Sequence, residues 1–520
     1  MQITQSLTRA AKIRGTGEAT VFGDRIQTWA EVRDRTSRLA MGLRGLGLQS
    51  GDFVAILAQN CDRYFEFVYG TLWAGGAIAP MNTRHSKAEM MHCLVDCDAK
   101  ILLTDSHHAA MAQELRAEIP GLDHIVCMVG SGEFADVIDY EQLIATNDPA
   151  EDARRSFDDI AGVFYTSGTT GRSKGVLLTH MNLLSNCCNG YAERYAEEGS
   201  SILHTAPLFH LSGMANMLAV TLRAGQQIFL EKFVPHLVLA AIETYRPKSI
   251  VLAPTMLQML LDDNAFGKFD LTSLEQIMYG SAPMPEPLLK RALKLMPDGI
   301  GFRQGYGMTE TAAGGTILGP QWHNLEGEHV ERLKSAGRPA MLCEVIVVDE
   351  NDNEVGTREI GEVLIRGPVV MKGYLNLPEL SAEVLRGGWM HTGDIGFQDE
   401  DGFIFIVDRK KDMIITGGEN VYSSEVENAI CEIPGVQQCA VIGIPHEKWG
   451  EAVHAIISCS ASSGLTEALI QSQLESTLSR YKRPRSIDIV FETLPTTPSG
   501  KIQKNVLRMP FWKGRGSQLA

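Results

Sequence analysis

Long apolar runs are missing from this sequence. No window reaches the roughly 18 uninterrupted apolar residues that a membrane-spanning helix needs, and the best one, 250–261, is short and contains Thr255 and Gln258. The N-terminal segment 1–15 carries Arg and Lys but no continuous apolar core, which argues against a secretory signal and favours an amphipathic first helix over a transit peptide. We therefore expect a cytoplasmic protein with no integral membrane segment.

Basic charge is scarce overall. The 520 residues include 47 Lys and Arg against 63 Asp and Glu, which gives a formal net charge of −16. Nonspecific binding to nucleic acid or to anionic lipid depends on an excess of basic residues, so both are excluded as main functions. Residues 480–515 are an exception, because they carry nine basic and two acidic side chains. If the ligands are anions, the cations that bind them are concentrated locally.

Cysteines with the spacing of a zinc site are absent as well. The ten cysteines are scattered, and the close pairs, Cys93 with Cys97 and Cys187 with Cys188, do not match zinc-binding patterns. This distribution predicts reduced, buried thiols, as is usual in the cytoplasm, rather than disulfides or a metal centre. The sequence also contains no internal repeat and no low-complexity stretch.

Apolar runs and amphipathic segments alternate over roughly the first 320 residues. Examples are 53–57 as a strand and 30–45 as a helix, and this alternation predicts an α/β fold with parallel-rich sheets and flanking helices. Between about 337 and 407 the short β-rich pieces predict an antiparallel sheet or a small β-barrel-like subdomain. After a dense charge cluster, α/β alternation resumes. We predict a large N-terminal domain, 1–408, and a small α/β domain, 409–520.

The strongest local pattern is the segment 165–176, which reads YTSGTTGRSKGV. It follows an apolar strand and precedes 177–184, a stretch with a helical pattern. Its glycines, hydroxyl groups and single lysine suit a loop that wraps a polyphosphate. The Lys of a Walker A loop precedes Ser or Thr, whereas here Lys174 precedes Gly175. The predicted phosphate-loop residues are Thr166, Ser167, Gly168, Thr169, Thr170, Gly171 and Lys174.

Five further segments follow this loop, and the six together resemble the adenylate-forming superfamily of acyl-CoA synthetases, luciferases and peptide-synthetase adenylation domains. They read QGYGMTET, HTGD, DRKKDMI, GGENVYSSEVE and PSGKIQK, and they occupy 304–311, 391–394, 408–414, 417–427 and 498–504. The resemblance covers essentially the whole chain. It implies that 1–408 is an AMP-binding domain and that 409–520 is a mobile one. It also implies ATP, Mg²⁺ and coenzyme A as cofactors and an acyl-adenylate intermediate.

The joining of a carboxylate to the α-phosphorus of ATP brings two anions together, so the site needs cations that meet the developing charge. By resemblance, Lys501 bridges the substrate carboxylate and the α-phosphate. Glu310 supplies a hard oxygen to Mg²⁺, to which Thr166 adds a hydroxyl, and Thr309 donates to the α-phosphate. These are the predicted catalytic and metal-binding groups, together with His210.

The resemblance also assigns residues to the nucleotide and to CoA. Tyr306 is expected to stack on adenine and Asp394 to accept hydrogen bonds from the ribose, while Lys411 is the expected hinge between two half-reactions. The thioester-step loop contains Gly417 and Gly418. Further predicted contacts are Ser281, Ala282, Pro283, Gly307, Met308 and Arg409 for the nucleotide, and Trp449, Tyr481 and Arg483 for the nucleotide of CoA.

The second substrate is indicated by a single position. Peptide-synthetase domains hold an amino group with an Asp where this chain has His210, so amino-acid activation is disfavoured. In CoA ligases the matching His gates the pantetheine tunnel or helps to deprotonate the thiol, whose pKa lies near 8.5. The predicted acyl slot is open and largely apolar, and it is lined by His210, Met214, Met256, Tyr279, Gly280 and Gly305.

The sequence therefore predicts an AMP-forming acid:CoA ligase. Its expected substrate is a monocarboxylic acid, either a medium- or long-chain fatty acid or an aromatic or arylpropenoic one, and a homodimer is a possible assembly. The alternatives are acyl transfer to a carrier protein and a malonyl-type CoA synthetase. The malonyl class uses an Arg directly before the Tyr-Gly-Met-Thr-Glu run, where this chain has Gly305 and where Arg303 lies two residues earlier. Two departures from the family pattern are Ser173 and Ser423, which replace the usual Pro.

Overall fold

The computed structural model describes residues 1–128, 136–166, 173–193, 197–327, 329–497 and 501–513. Its helices confirm the predicted amphipathic first helix and the segment 30–45 as helical. They are α1 (Thr4–Arg14), α2 (Trp29–Gly45), α3 (Asp62–Ala74), α4 (Lys87–Asp96), α5 (Ala109–Glu118), α6 (Tyr140–Ala145), α7 (His180–Ala192), α8 (Leu211–Leu222), α9 (Pro235–Tyr245), α10 (Pro254–Asp262), α11 (Glu286–Leu295), α12 (Pro378–Val384), α13 (Ser423–Cys431), α14 (Glu467–Leu474) and α15 (Lys504–Trp512).

The strands belong to four sheets within the described ranges. In chain order they are β1 (Glu18–Phe22), β2 (Arg25–Thr28), β3 (Phe53–Leu57), β4 (Ala77–Pro80), β5 (Ile101–Thr104), β6 (His124–Cys127), β7 (Ile138–Asp139), β8 (Ile160–Thr166), β9 (Lys174–Thr179), β10 (Ser201–His204), β11 (Gln226–Phe229), β12 (Ser249–Leu252), β13 (Gln276–Gly280), β14 (Gly301–Tyr306), β15 (Thr316–Leu318), β16 (Arg338–Pro339), β17 (Glu344–Val348), β18 (Gly361–Arg366), β19 (Gly373–Tyr374), β20 (Met390–Gln398), β21 (Ile404–Arg409), β22 (Ile414–Thr416), β23 (Glu419–Val421), β24 (Val436–His446), β25 (Gly450–Cys459) and β26 (Ser486–Val490).

Two large sheets form the N-terminal part of the chain. One has the order β16-β15-β14-β13-β12-β10-β11-β1-β2 and is parallel from β14 through β1. The other has the order β19-β9-β8-β4-β3-β5-β6-β7 and is parallel from β8 through β7. Their strands are largely buried between helices, as parallel sheets require. The predicted parallel-rich α/β fold is confirmed.

The two smaller sheets follow in the chain. The predicted β-rich region forms an open antiparallel sheet of order β17-β18-β20-β21, so of the two alternatives the described strands take the sheet rather than a closed barrel. The last sheet has the order β23-β22-β25-β24 with β26 beside β25, and its core packs against α13 and α14. Because β21 ends at Arg409 and β22 begins at Ile414, the chain passes between these sheets in a short turn. The boundary at 408/409 stays a prediction.

The helical pattern predicted over 177–184 is wrong for its first three residues. Those residues belong to β9, which pairs antiparallel with β8, so the phosphate-loop segment connects a hairpin. The helix begins only at His180, because Thr179 forms a capping box with Asn182. The alternating apolar side chains of 176–179 fit a buried strand as well as a helix, and the pairing with β8 decides between them.

Two further observations concern the whole chain. None of the helices within the described residues combines the length and the apolar character needed to cross a bilayer. All ten cysteines are free thiols, eight of them buried and two partly exposed.

Candidate active site

The predicted phosphate loop begins and ends on paired strands. Thr166, the last residue of β8, lies opposite Lys174, the first of β9. Helix α4 holds the base of this hairpin: the hydroxyl of Tyr165 donates to the carbonyl of Cys93 at 2.9 Å, and His92 Nε2 lies 2.9 Å from the carbonyl oxygen of Ser173. The remaining predicted loop residues, Ser167, Gly168, Thr169, Thr170 and Gly171, lie outside the described residues.

Glu310 is held by a tyrosine that the sequence analysis missed. The hydroxyl of Tyr374, on β19, donates to Glu310 Oε1 at 2.8 Å, and the ring of the same tyrosine lies 5.1 Å from Lys174 Nζ. Burial, with the negative charge of Glu310 added, raises the pKa of Tyr374, so the hydroxyl keeps its proton. Tyr374 therefore joins the predicted metal-binding carboxylate to the predicted phosphate-loop lysine.

The groups around Glu310 fit a Mg²⁺ ion that takes most of its ligands from phosphate and water. Only one carboxylate oxygen of Glu310 is engaged by Tyr374, and the other has no hydrogen-bond partner given by the described side chains. Thr166, which carries the predicted hydroxyl ligand, is half-buried. One carboxylate with one hydroxyl is a donor set suited to Mg²⁺ in nucleotide sites. Thr309 begins the short helical turn Thr309–Thr311 that carries Glu310.

Asp394 lies at the centre of a second cluster. Its Oδ2 accepts from the hydroxyl of Tyr306 at 2.8 Å, and its Oδ1 lies 2.8 Å from Arg409 Nε. Asp394 and Arg409 are direct partners in the pairing of β20 with β21. Burial and the Asp394 charge raise the pKa of Tyr306, which stays a donor. Each oxygen of a carboxylate can accept a second hydrogen bond, so Asp394 keeps the capacity to bind ribose hydroxyls.

Lys501 approaches this cluster from the C-terminal part of the chain. Burial and the nearby Arg409 charge lower the pKa of Lys501 to about 8, although Asp394 and Asp412 oppose the shift. The loop that carries it is closed by two hydrogen bonds with Thr497, of 2.7 Å to the Lys501 carbonyl and 3.1 Å from the Lys501 N–H. The predicted catalytic lysine and the predicted ribose carboxylate, more than 100 residues apart in the sequence, are thus neighbours in the structure.

A cavity of about 120 Å³ contains most of the predicted acyl-site residues. His210, Met256, Tyr279, Gly280 and Gly305 line it, together with the predicted nucleotide residues Ser281 and Gly307. Helices α7 and α8 add a wall that the sequence analysis did not predict, made of Asn186, Cys187, Gly190, Ser212, Ala215, Asn216 and Ala219. Among the described lining residues none is Asp, Glu, Lys or Arg. The cavity is suited to an uncharged tail.

Met214 does not line this cavity, so this prediction is corrected. It lies on α8 but packs in the main hydrophobic core, fully buried. The lining residues of α8 are 212, 215, 216 and 219, which form one helical face, and 214 points away from that face.

Two glycines shape the cavity in different ways. A Cβ at Gly305 would meet no atom within 4 Å, so this position is open space. At Gly280 a Cβ would lie 2.5 Å from the carbonyl oxygen of Gly305, so only glycine allows β13 and β14 to approach here. Ser281 follows with a φ of 67°, a strained conformation for a serine. Ala282 and Pro283 continue this turn.

His210 stands at the start of α8 with an unsatisfied ring. Its Nε2 is buried and has no hydrogen-bond partner among the described residues. Burial lowers its pKa to about 4, and the nearby Arg84 charge acts in the same direction. The imidazole is therefore neutral at pH 7 and can accept a hydrogen bond. A base of such low pKa removes a thiol proton inefficiently.

The predicted CoA residues fall into two groups. Gly417 and Gly418, with φ of 62° and 86°, form a turn in the left-handed region that favours glycine. The N–H of Gly417 donates to the carbonyl of Trp449 at 2.9 Å, so the thioester-step loop and the predicted aromatic contact are adjacent. The indole already has two partners: His446 stacks on it at 4.1 Å, and Arg485 Cζ lies 4.2 Å from its ring centroid.

Tyr481 and Arg483 are placed at the surface of the same domain. Tyr481 is 40% exposed, whereas Arg483 pairs with Glu475 at 3.0 Å. Arg485, which contacts Trp449, was missed; the signal was the fourth basic residue of RYKRPR. Lys411, the predicted hinge residue, lies in the turn between β21 and β22, and its carbonyl accepts from Arg508 at 3.2 Å.

Known proteins match this chain over most of its length. Residues 7–375 match the family model of AMP-binding enzymes, and residues 425–501 match that of the AMP-binding enzyme C-terminal domain. Feruloyl-CoA synthase of Amycolatopsis sp is 38% identical over 505 residues, covering 97% of this chain and 98% of the relative.

Two more relatives extend the comparison. Long-chain-fatty-acid–CoA ligase FadD13 of Mycobacterium tuberculosis is 33% identical and covers 92% of each chain. The solved structure of anthranilate CoA ligase AuaEII in complex with anthranoyl-AMP superposes with a TM-score of 0.89 at 27% identity, over 98% of this chain and 97% of that one. On these grounds the chain belongs to the AMP-binding enzyme family.

Proposed function

We propose that this protein is an ATP- and Mg²⁺-dependent acid:CoA ligase that forms an acyl-CoA thioester through an acyl-adenylate and releases AMP and pyrophosphate. One observation carries the proposal. Gly305 and Gly307 line the uncharged cavity, while Tyr306 between them bonds to Asp394 in the nucleotide cluster. Because neighbouring residues of an extended chain face opposite ways, an acid in the cavity and a nucleotide at Asp394 would share one wall.

The first half-reaction joins the acid to AMP. A carboxylate oxygen of the acid attacks the α-phosphorus of ATP, the bond to the bridging oxygen breaks, and pyrophosphate leaves. Lys501, protonated below a pKa of about 8, supplies positive charge between the two anions, and Thr309 donates to the phosphate. Glu310 and Thr166 would hold Mg²⁺, which supplies charge to the phosphate oxygens when bound.

The second half-reaction transfers the acyl group. The C-terminal domain turns about Lys411 and presents Gly417 and Gly418 to the tunnel. The thiol of CoA gives up its proton, its sulfur attacks the acyl carbonyl, and AMP leaves. The low pKa of His210 supports the role of a gate and hydrogen-bond acceptor rather than of a strong base. Trp449, Tyr481, Arg483 and Arg485 are the candidate contacts for the nucleotide of CoA.

The substrate is proposed to be a monocarboxylic acid with an aromatic or a medium- to long-chain aliphatic tail. A second carboxylate in the cavity would face no cation from the described lining residues, and burial of an unpaired charge is costly. Arg303 lies two positions before the lining residue Gly305 in the sequence, but it is buried and does not line the cavity. This supports a monocarboxylate over the malonyl-type alternative.

Cellular location and assembly belong to the same proposal. We place the enzyme in the cytoplasm, where unbridged thiols stay reduced. A homodimer rests on the family resemblance alone, and analytical ultracentrifugation would test it.

Pyrophosphate release with a panel of acids tests the function. Ferulate, benzoate, octanoate, palmitate and malonate are compared with and without CoA, and products are identified by mass spectrometry. We expect release with at least one aromatic or fatty acid, accumulation of its CoA thioester, and none with malonate. Stable adenylate without thioester would favour transfer to a carrier protein, and no release with any acid would contradict the proposal.

A further inference from the structure

Helix α13 of the C-terminal part begins against the last residues of β21. The residue at its N-cap, Tyr422, makes no side-chain capping bond. Asp408, near the end of β21, supplies the capping hydrogen bonds instead. Its carboxylate accepts from the N–H of Ser423 and from the Ser423 hydroxyl, the latter at 2.8 Å. The hydroxyl of Ser424 donates to the carbonyl of Val407. A carboxylate at a helix N-terminus is favoured by the helix dipole and by the free N–H groups.

A buried lysine continues the contact. Lys504 Nζ donates to Ser423 Oγ at 2.6 Å and pairs with Glu427 Oε1 at 2.7 Å. Burial disfavours the ammonium form, yet the charges of Glu427 and Asp408 outweigh it and raise the pKa of Lys504. Lys504 is the first residue of α15 and lies three residues after Lys501. The chain of contacts thus runs from β21 through Ser423 to the start of α15, next to the loop of the catalytic lysine.

This contact connects the two sheets on either side of the proposed hinge. Asp408 belongs to the four-stranded sheet, whereas Ser423 and Lys504 belong to the unit built around β24 and β25. Any rotation about Lys411 would change the distance between Asp408 and Ser423. Proline, the usual residue at 423 in the family pattern, has neither an N–H nor a hydroxyl and could make neither bond.

We propose that Ser423 is a positioning residue for the first half-reaction: through Asp408 and Lys504 it holds the C-terminal part in the orientation in which Lys501 lies beside Asp394. The proposal rests on the proposed function, because it assumes two half-reactions that need different orientations. The Asp408 contact must then break before CoA is used. Ser423 therefore favours adenylation over thioester formation in this chain.

Three substitutions separate the bonds of Ser423. Ser423→Pro removes the N–H and the hydroxyl, and proline is well tolerated at the first position of a helix. Ser423→Ala removes only the hydroxyl, and Ser423→Thr keeps both donors. Each variant is assayed for pyrophosphate exchange without CoA and for thioester formation from supplied feruloyl-adenylate, or the adenylate of the most active acid of the panel.

We expect Ser423→Pro to slow pyrophosphate exchange about tenfold, as loss of a hydrogen bond to a charged group implies, and to leave thioester formation unchanged or faster. The rate of pyrophosphate exchange in Ser423→Ala should fall between those of Ser423→Pro and the wild type. Ser423→Thr should restore the wild-type ratio of the two half-reaction rates. An equal fall in both half-reactions would show a merely structural role and overturn the proposal. Unchanged rates in both would also overturn it.

A second measurement needs no substrate. Trypsin can cut the full-length protein in the turn that contains the exposed Lys410, and mass spectrometry identifies the cleaved bond. We expect cleavage there to be several-fold faster in Ser423→Pro than in Ser423→Thr at equal melting temperature, and equal rates would overturn the proposal. If no acid releases pyrophosphate, the proposed function fails, yet this measurement still decides whether Ser423 holds the orientation.

Discussion

The acyl cavity and the nucleotide cluster meet at consecutive residues of β14, yet they are built from different chemistry. The described lining of the cavity has no charged side chain, and its dimensions depend on glycines. The cluster brings Asp394, Arg409 and Lys501 together. Against burial, the Asp394 charge acts to raise the pKa of Arg409, and burial with the Arg409 charge lowers the pKa of Lys501. The difference fits the proposed division of roles, in which shape in the cavity selects the acid and charge in the cluster drives the reaction.

Removal of Lys501 is the strongest test of the cluster. Lys501→Ala should lower adenylate formation by at least about a hundredfold, because a charge aimed at the developing transition state is lost. Thioester formation from supplied acyl-adenylate should be spared, because the proposed role of this lysine is confined to the first half-reaction. Pyrophosphate exchange and thioester release measure the two steps separately. Equal loss of both half-reactions would contradict the assignment of Lys501 to the first one, and it would remove support for separate roles of cavity and cluster.

Enlarging the side chain at Gly305 tests the cavity. Gly305→Leu should place its side chain in the open space beside β14 and lower kcat/KM for bulky acids such as ferulate by roughly tenfold or more. The KM for ATP should not change, because the cluster is untouched. Gly280→Ala is a poor substitute, since its Cβ would strike the Gly305 carbonyl. A raised KM for ATP in Gly305→Leu would mean that shape and charge are not separable here.

Tyr374 links Glu310, the proposed metal-binding carboxylate, to Lys174, and its two contacts can be removed one at a time. Tyr374→Phe loses the hydrogen bond to Glu310 but keeps the ring beside Lys174, whereas Tyr374→Leu loses both. Because such outer partners orient a ligand, we expect Tyr374→Phe to raise the Mg²⁺ concentration for half-maximal pyrophosphate release up to about tenfold.

Binding of Mn²⁺ in the presence of a non-hydrolysable ATP analogue, followed by electron paramagnetic resonance, gives a readout independent of turnover. Tyr374→Phe should weaken Mn²⁺ binding as well. If only Tyr374→Leu has an effect, the ring beside Lys174 matters and the hydroxyl does not.

The sequence motifs indicate the groups proposed to act on the nucleotide, but not the groups that hold them. Glu310, Asp394 and Lys501 each sit in a local pattern whose residue types the chemistry requires. Tyr374 was missed because it reaches Glu310 only through the pairing of β19 with β9. In that pairing Tyr374 lies opposite Val176, which stands 198 positions earlier in the sequence. Such long-range pairing leaves no local periodicity to read.

The cavity shows the same limit. Glycines 280 and 305 were predicted from adjacent motifs, but the α7 wall was missed and Met214 was misplaced. Which face of α8 turns to the cavity depends on how α7 and α8 pack, for example through Cys187, whose thiol donates to the Ala215 carbonyl. A helix with apolar residues on most of its surface does not define that face by its sequence.

The dependence of the first half-reaction on pH gives the smallest effect and the finest test of the cluster. Lys501 has a pKa of about 8 and acts as the protonated form. Its ammonium is fully present well below pH 8 and is lost as the pH rises through 8, so kcat/KM for ATP in pyrophosphate release should halve near that pH. Bound phosphates would favour the ammonium, so kcat should decline only at higher pH.

The variant Lys501→Arg is the control for this titration. It keeps its charge to much higher pH, because a guanidinium does not titrate in this range. The residual activity of Lys501→Arg, although reduced by the different geometry, should show no decline near pH 8. A decline at the same pH in Lys501→Arg would assign the titration to another group and would remove this lysine as the source of the pH dependence.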